Sequence, residues 1–174
     1  MPNHVHLILT PSDEPGLGLA VGEAHRRYTN FVNARGRWCG HLFQSRFASV
    51  AMDEAHLMAA ARYVPMNPVR ARLVTRPQDW PWSSAAAHLA GADDGLVTVG
   101  PLLARTGDFA GFLAQGEDPH ARNALRAAET TGRPLGNETF IRGLEQILGR
   151  RLARGRPGPR RASGGDAQQP ALWG

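Results

Sequence analysis

Short apolar runs of strand length, interleaved with stretches whose apolar positions recur at helical spacing, predict an α+β domain: a short antiparallel sheet flanked by helices. Three segments carry this expectation. Residues 3–10, NHVHLILT, are rich in Val, Ile and Leu and stop at Pro11 and the polar SDEPG turn. Residues 41–52, HLFQSRFASVAM, place Phe43, Ser45, Phe47 and Ser49 on alternate positions, a period of two that suits a strand. Between them, from about Leu19 to Ala34, Ala20, Ala24, Tyr28, Phe31 and Val32 recur at the spacing of one helix face, until Gly36 and Gly40 break the pattern.

Further along, Asp53 is a plausible N-cap for a helix containing Leu57, Met58 and Ala61. That helix is expected to run close to Tyr63, before Pro65 and Pro68 interfere. After the turn-rich RPQDWPWSS, Ser83 or Ser84 can open another short helix. Beyond Gly91 the segments read as helices broken by glycine, near 101–106, 108–115, 119–131 and 137–152. The last has Asn137 as N-cap and Phe140, Ile141, Leu144, Ile147, Leu148 and Leu152 along one stripe, which suits a core or docking face. From Gly155 the chain is rich in Pro, Gly and Arg, and disorder is expected there. The expected organisation is a core over 1–92, a helical extension over 93–152 and a disordered basic tail over 153–174.

All 20 basic residues are arginine, and six of them (Arg150, Arg151, Arg154, Arg156, Arg160 and Arg161) lie close together with no acid among them. The other 14 arginines face 15 acidic residues, so the net charge of +5 resides in the tail. Such a tail favours nucleic acid through phosphate contacts, and it serves equally as a solubilising end. Cys39 is the only cysteine, which excludes an internal disulfide and a Cys-based zinc site. The N-terminus lacks the basic region and apolar stretch of a signal peptide, and no apolar run approaches the roughly 20 residues of a membrane span. A cytoplasmic protein without a membrane partner is therefore expected.

His4 and His6 are separated by one residue, so on a strand both imidazoles face the same way and can reach one divalent cation. Two partly exposed histidines on a sheet face would look the same. Context distinguishes these readings. MPNHVHLILTP resembles the metal-binding strand of the IS200-like single-tyrosine HUH transposases, in particular the group associated with repetitive extragenic palindromes. The stretch from His41 to Gly91 is similar to that family almost continuously. It carries Gln44-Ser45-Arg46-Phe47, Arg62-Tyr63 followed by Asn67-Pro68-Val69-Arg70-Ala71, and Pro81-Trp82-Ser83-Ser84. The helix with Tyr28 and Asn33 and the turn Gly132-Arg133-Pro134-Leu135-Gly136 are similar as well. The resemblance is strong over residues 1–92 and loose over 130–155.

The resemblance implies a ferredoxin-like HUH core, and it implies roles. Tyr63 matches the nucleophile that attacks a single-stranded DNA phosphodiester, leaving a 5′-phosphotyrosine and a free 3′-hydroxyl. A covalent intermediate of this kind splits strand transfer into two steps and conserves the bond energy. Free tyrosine ionises near pH 10, so a metal bound to the scissile phosphate is expected to help. His4 and His6, with Asn67 as a third oxygen ligand, would hold Mg²⁺ or Mn²⁺. Arg46, Arg62 and Arg70 are the candidate phosphate contacts. Trp80 and Trp82 suit turn packing better than base stacking, and the remaining histidines have no partner pattern.

Two departures from the family pattern shape the expectations. The chain begins almost on the metal strand, where the family carries an opening strand and helix, so the core is expected to be incomplete. An exposed strand edge invites association, which adds a homodimer to the partners implied, hairpin or palindromic single-stranded DNA being the first. Pro65 falls between Tyr63 and Asn67, where a helical proline costs about 3 kcal/mol and clashes with the carbonyl four residues earlier. The leading expectation is a metal-dependent strand-transfer enzyme; the alternative is a catalytically silent remnant that binds nucleic acid.

Overall fold

In the computed structural model, residues 1–152 are described; the basic tail expected over 153–174 lies outside them. Among the described residues the chain forms seven α-helices, one 3-10 turn and no strand. These are α1 (Gly16–Gly36), α2 (Glu54–Arg70), a 3-10 turn at Pro77–Asp79, α3 (Ala85–Ala90), α4 (Gly100–Thr106), α5 (Phe109–Ala114), α6 (Pro119–Thr131) and α7 (Glu138–Leu148). The fold is helical, and the expectation of an α+β domain with a short antiparallel HUH-type sheet is overturned. None of these helices is long and apolar enough to cross a membrane.

The reason is the absence of ladder partners. No backbone hydrogen bond joins residues 3–10 to another element among the described residues, and Val5, Leu7, Ile8 and Leu9 stay exposed. Residues 42–46 form bends and 47–51 take no regular structure, so no strand forms over 41–51. Two strands alone make a marginal sheet, and a strand with no neighbour has nothing to satisfy its backbone. A lone parallel bridge, Met52 to Leu135, is all that remains of the second strand, with Leu135 N–H donating to Ala51 O at 2.8 Å and Asp53 N–H to Leu135 O at 2.9 Å.

Helix α2 is the centre of the packing. One of its faces presents Ala60 and Tyr63 to Leu125 of α6, with Met52, Val64 and Leu135 at the edge. A second face presents Ala61 to Phe109 and Phe112 of α5, backed by Leu102 and Leu103 of α4. Small alanines let these helices approach closely, and the buried rings of Tyr63, Phe109 and Phe112 pack in the two clusters. The stop of α6 is sharp: Gly132 adopts φ +62°, its N–H donates to Ala128 O at 2.7 Å, and a Cβ there would meet Ser49 O at 3.7 Å. That left-handed turn sends the chain back to bridge Met52 and so places α6 against α2. Helix α7 begins at Asn137, whose side chain accepts from Phe140 N–H, and it ends at Leu148 rather than the expected 152, since Gly149 turns left-handed. Ile147 and Leu148 of its stripe remain exposed. Helix α1 buries no residue; Phe43 folds back onto it, stacked 3.9 Å from the His25 ring.

Candidate active site around Tyr63

Asp53 starts the helix that carries Tyr63. Its carboxylate accepts from His56 N–H at 3.0 Å, from the His56 ring at 2.6 Å and from Asn137 N–H at 2.8 Å. These donors, led by the His56 backbone N–H, hold its carboxyl down at about 2. The same side chain thus caps α2 and ties it to the start of α7.

The helix does not end near Tyr63. It continues through Pro65 and Pro68, both buried, to Arg70. Each proline removes one intrahelical donor, a cost that burial of both rings offsets. The consequence is geometric: Tyr63, Asn67 and Arg70 fall at i, i+4 and i+7 and share one stripe. Arg70 links all three, since one guanidinium nitrogen donates to Tyr63 O at 2.8 Å and also to Asn67 Oδ1. Its other nitrogen pairs with Glu117, and its charge lies 4.4 Å from the centre of the Tyr63 ring. Burial lowers the pKa of Arg70 from its ordinary value, and the like charges of Arg122 and Arg126 act in the same direction. The group stays charged nonetheless, as arginine does in proteins.

The histidine pair comes to this stripe from the N-terminal segment, nearly sixty residues earlier in the chain. The His4 and His6 rings meet edge-on, 4.9 Å between centres, and the His6 ring lies 5.9 Å from that of Tyr63. His6 Nδ1 is 3.9 Å from a Glu129 oxygen on α6. Burial depresses the His6 pKa, an effect that Glu129 opposes. His4 is exposed and bonded at 2.7 Å to the neighbouring Asn3 side chain.

These residues, as arranged, do not fit a divalent cation with the three expected ligands. Asn67 Oδ1 accepts from a guanidinium, and a second positive charge at the same oxygen would be repelled. No group of three or more His, Cys, Asp or Glu side chains is placed to hold an ion among the described residues.

The other candidates are placed differently. Arg62 turns to α5 and the segment after it, donating to Phe112 O at 3.0 Å, Gly116 O at 3.1 Å and Gln115 Oε1 at 2.9 Å, with its charge 4.3 Å above the Phe112 ring. Arg46 is exposed in the 41–51 segment and contributes no hydrogen bond, ion pair or ring contact to the Tyr63 cluster among the described residues. Trp80 is half-buried, whereas Trp82 is fully solvent-facing. Sequence reasoning missed Glu117, Arg122, Arg126 and Glu129. The last three sit at i, i+4 and i+7 of α6, flanking the buried Leu125 and Ala128. That spacing was readable as a polar stripe beside an apolar one. Which site the stripe bordered was not.

No family model, no curated protein and no solved structure matches the chain.

Proposed function

We propose that this chain cleaves and rejoins single-stranded DNA, with Tyr63 as the nucleophile, in the manner of the single-tyrosine transposases that its sequence resembles. One observation carries the reading. The histidine pair and the tyrosine, far apart in the chain, come together, with the His6 and Tyr63 rings 5.9 Å apart. In the forward step the phenolic oxygen forms a bond to phosphorus, the bond from phosphorus to the 3′-oxygen breaks, and the phenolic proton ends on that 3′-oxygen. A 3′-hydroxyl attacking the phosphotyrosine reverses the exchange, so no external energy source is needed. Arg70 supplies a fixed positive charge beside the ring, where negative charge develops on both the phenolic and the phosphate oxygens. No step is routed through a metal. On this reading the protein works in the cytoplasm, on single-stranded DNA.

A second reading, a nucleic-acid-binding remnant without chemistry, is favoured by a different observation. Tyr63 is only 8% exposed, and no backbone hydrogen bond holds the histidine-bearing segment 3–10 in place among the described residues. One experiment separates the two. The protein is incubated with labelled single-stranded DNA that contains a hairpin-forming palindrome, with Mn²⁺ supplied, then denatured and resolved by electrophoresis. The strand-transfer reading expects a covalent protein–DNA adduct that Tyr63→Phe abolishes while DNA binding persists. Binding without any adduct in the parent protein would establish the remnant instead.

A further inference from the structure

We propose that α6 supplies a phosphate-binding stripe, Arg122 and Arg126, which together with Arg70 grips the backbone of single-stranded DNA beside Tyr63; the choice of ligand rests on the strand-transfer reading.

Three observations carry it. Arg122 and Arg126 stand one turn apart on α6, which packs on α2 through Leu125 against Ala60 and Tyr63, and their positive charge opposes that of Arg70. Neither has a carboxylate partner within ion-pair distance among the described residues, whereas Arg70, Arg76, Arg105 and Arg142 each have one. Arg122 also lines, with Arg62, Tyr63 and the acids Glu117 and Asp118, a cavity of about 30 Å³, and its Nε is buried without a hydrogen-bond partner. Arginines gathered at one place repel each other, and an unpaired buried N–H costs free energy; an anion relieves both. The acids nearby are already engaged: Glu117 with Arg70, and Asp118 with the first turn of α6 through His120 N–H at 2.9 Å. The cavity holds about one water, so a phosphate would sit at its mouth, with the guanidinium forks reaching its oxygens. Spaced at i and i+4, the two side chains are about 6 Å apart along the helix, close to the separation of successive phosphates in a stretched single strand.

The test measures binding of fluorescein-labelled oligothymidylate by anisotropy across a salt series. A Tyr63→Phe background keeps chemistry from contributing. Losing two phosphate contacts on single-stranded DNA lowers the salt slope by about 1.4, equivalent to roughly 25-fold weaker binding at about 0.1 M salt. That is the outcome expected for Arg122→Gln with Arg126→Gln. Arg126 is exposed, so Arg126→Gln alone leaves the fold undisturbed, and it should show about half of the slope change. Arg37→Gln with Arg142→Gln removes the same charge elsewhere and should change the slope less. An unaltered slope in the α6 variants, or an equal loss in the Arg37/Arg142 pair, overturns the stripe. Adduct formation by the parent protein is scored separately. A slope change with no adduct leaves the stripe standing without strand transfer, and an adduct with no slope change does the reverse.

Discussion

At the residue scale, Arg70 holds the site together. It bridges Tyr63, Asn67 and Glu117, so removing it strands an acid and two oxygen acceptors at once. The pair is partly shielded, the Arg70 and Glu117 side chains being 28% and 16% exposed, which sets the cost below that of breaking a fully buried ion pair. Arg70→Gln should destabilise the protein by about 1–2 kcal/mol in urea denaturation. Adding Glu117→Gln should recover part of that loss, because the second change removes the stranded charge. Independent, additive losses would show that the two do not act as a pair. The NPVR run marks Asn67 and Arg70 in the sequence, but nothing in it marks Glu117, whose role depends on the turn that brings the start of α6 back to α2.

At the element scale, α2 depends on its first residue. Asp53 receives three donors from two helices, so Asp53→Ala should cost about 1–2 kcal/mol, near the upper range for an N-cap, and loosen α7 as well. The pH dependence has a definite sign. A carboxyl held below its unfolded value is a source of stability that is complete above about 3.8 and is lost as pH falls towards about 2. Acid denaturation of the parent protein should therefore show a stability step over that window, and Asp53→Ala should lack it. Two parent and variant curves of the same shape would show that the cap does not titrate with folding. Asp53 was legible as a cap because a short polar residue before an apolar-periodic run has a local meaning. The passage of α2 through Pro65 and Pro68 was not, since local propensity opposes it and only burial of both rings against neighbouring helices outweighs that opposition.

At the scale of the whole molecule, the packing is uneven. Helices α2, α4, α5 and α6 share the two apolar clusters, whereas α1 buries no residue and leaves Leu19, Tyr28 and Phe31 exposed. Local stability follows burial, so amide hydrogens of α1 should exchange well before those of α2 in a native-state experiment. Equal protection in both would mean that α1 is covered in solution, which its exposed apolar positions and the bare 3–10 segment would then explain. Most helix positions, the caps at Asp53 and Asn137 and the glycine stop of α6 could be read from the chain alone, because periodicity and capping are local properties; the stop of α7 at Gly149 was not, that helix being expected to run to 152. The i, i+4 spacing of Tyr63 and Asn67 was visible, but Pro65 between them argued against a shared face, and only the uninterrupted α2 brings them onto one stripe. Strands were misjudged because a strand is not local: NHVHLILT has the composition of one, yet without a neighbour it has no ladder to join. The union of His6, Tyr63, Glu129 and the α6 arginines also arose only in three dimensions, since it depends on α6 packing on α2, with the chain after Gly132 returning to bridge Met52.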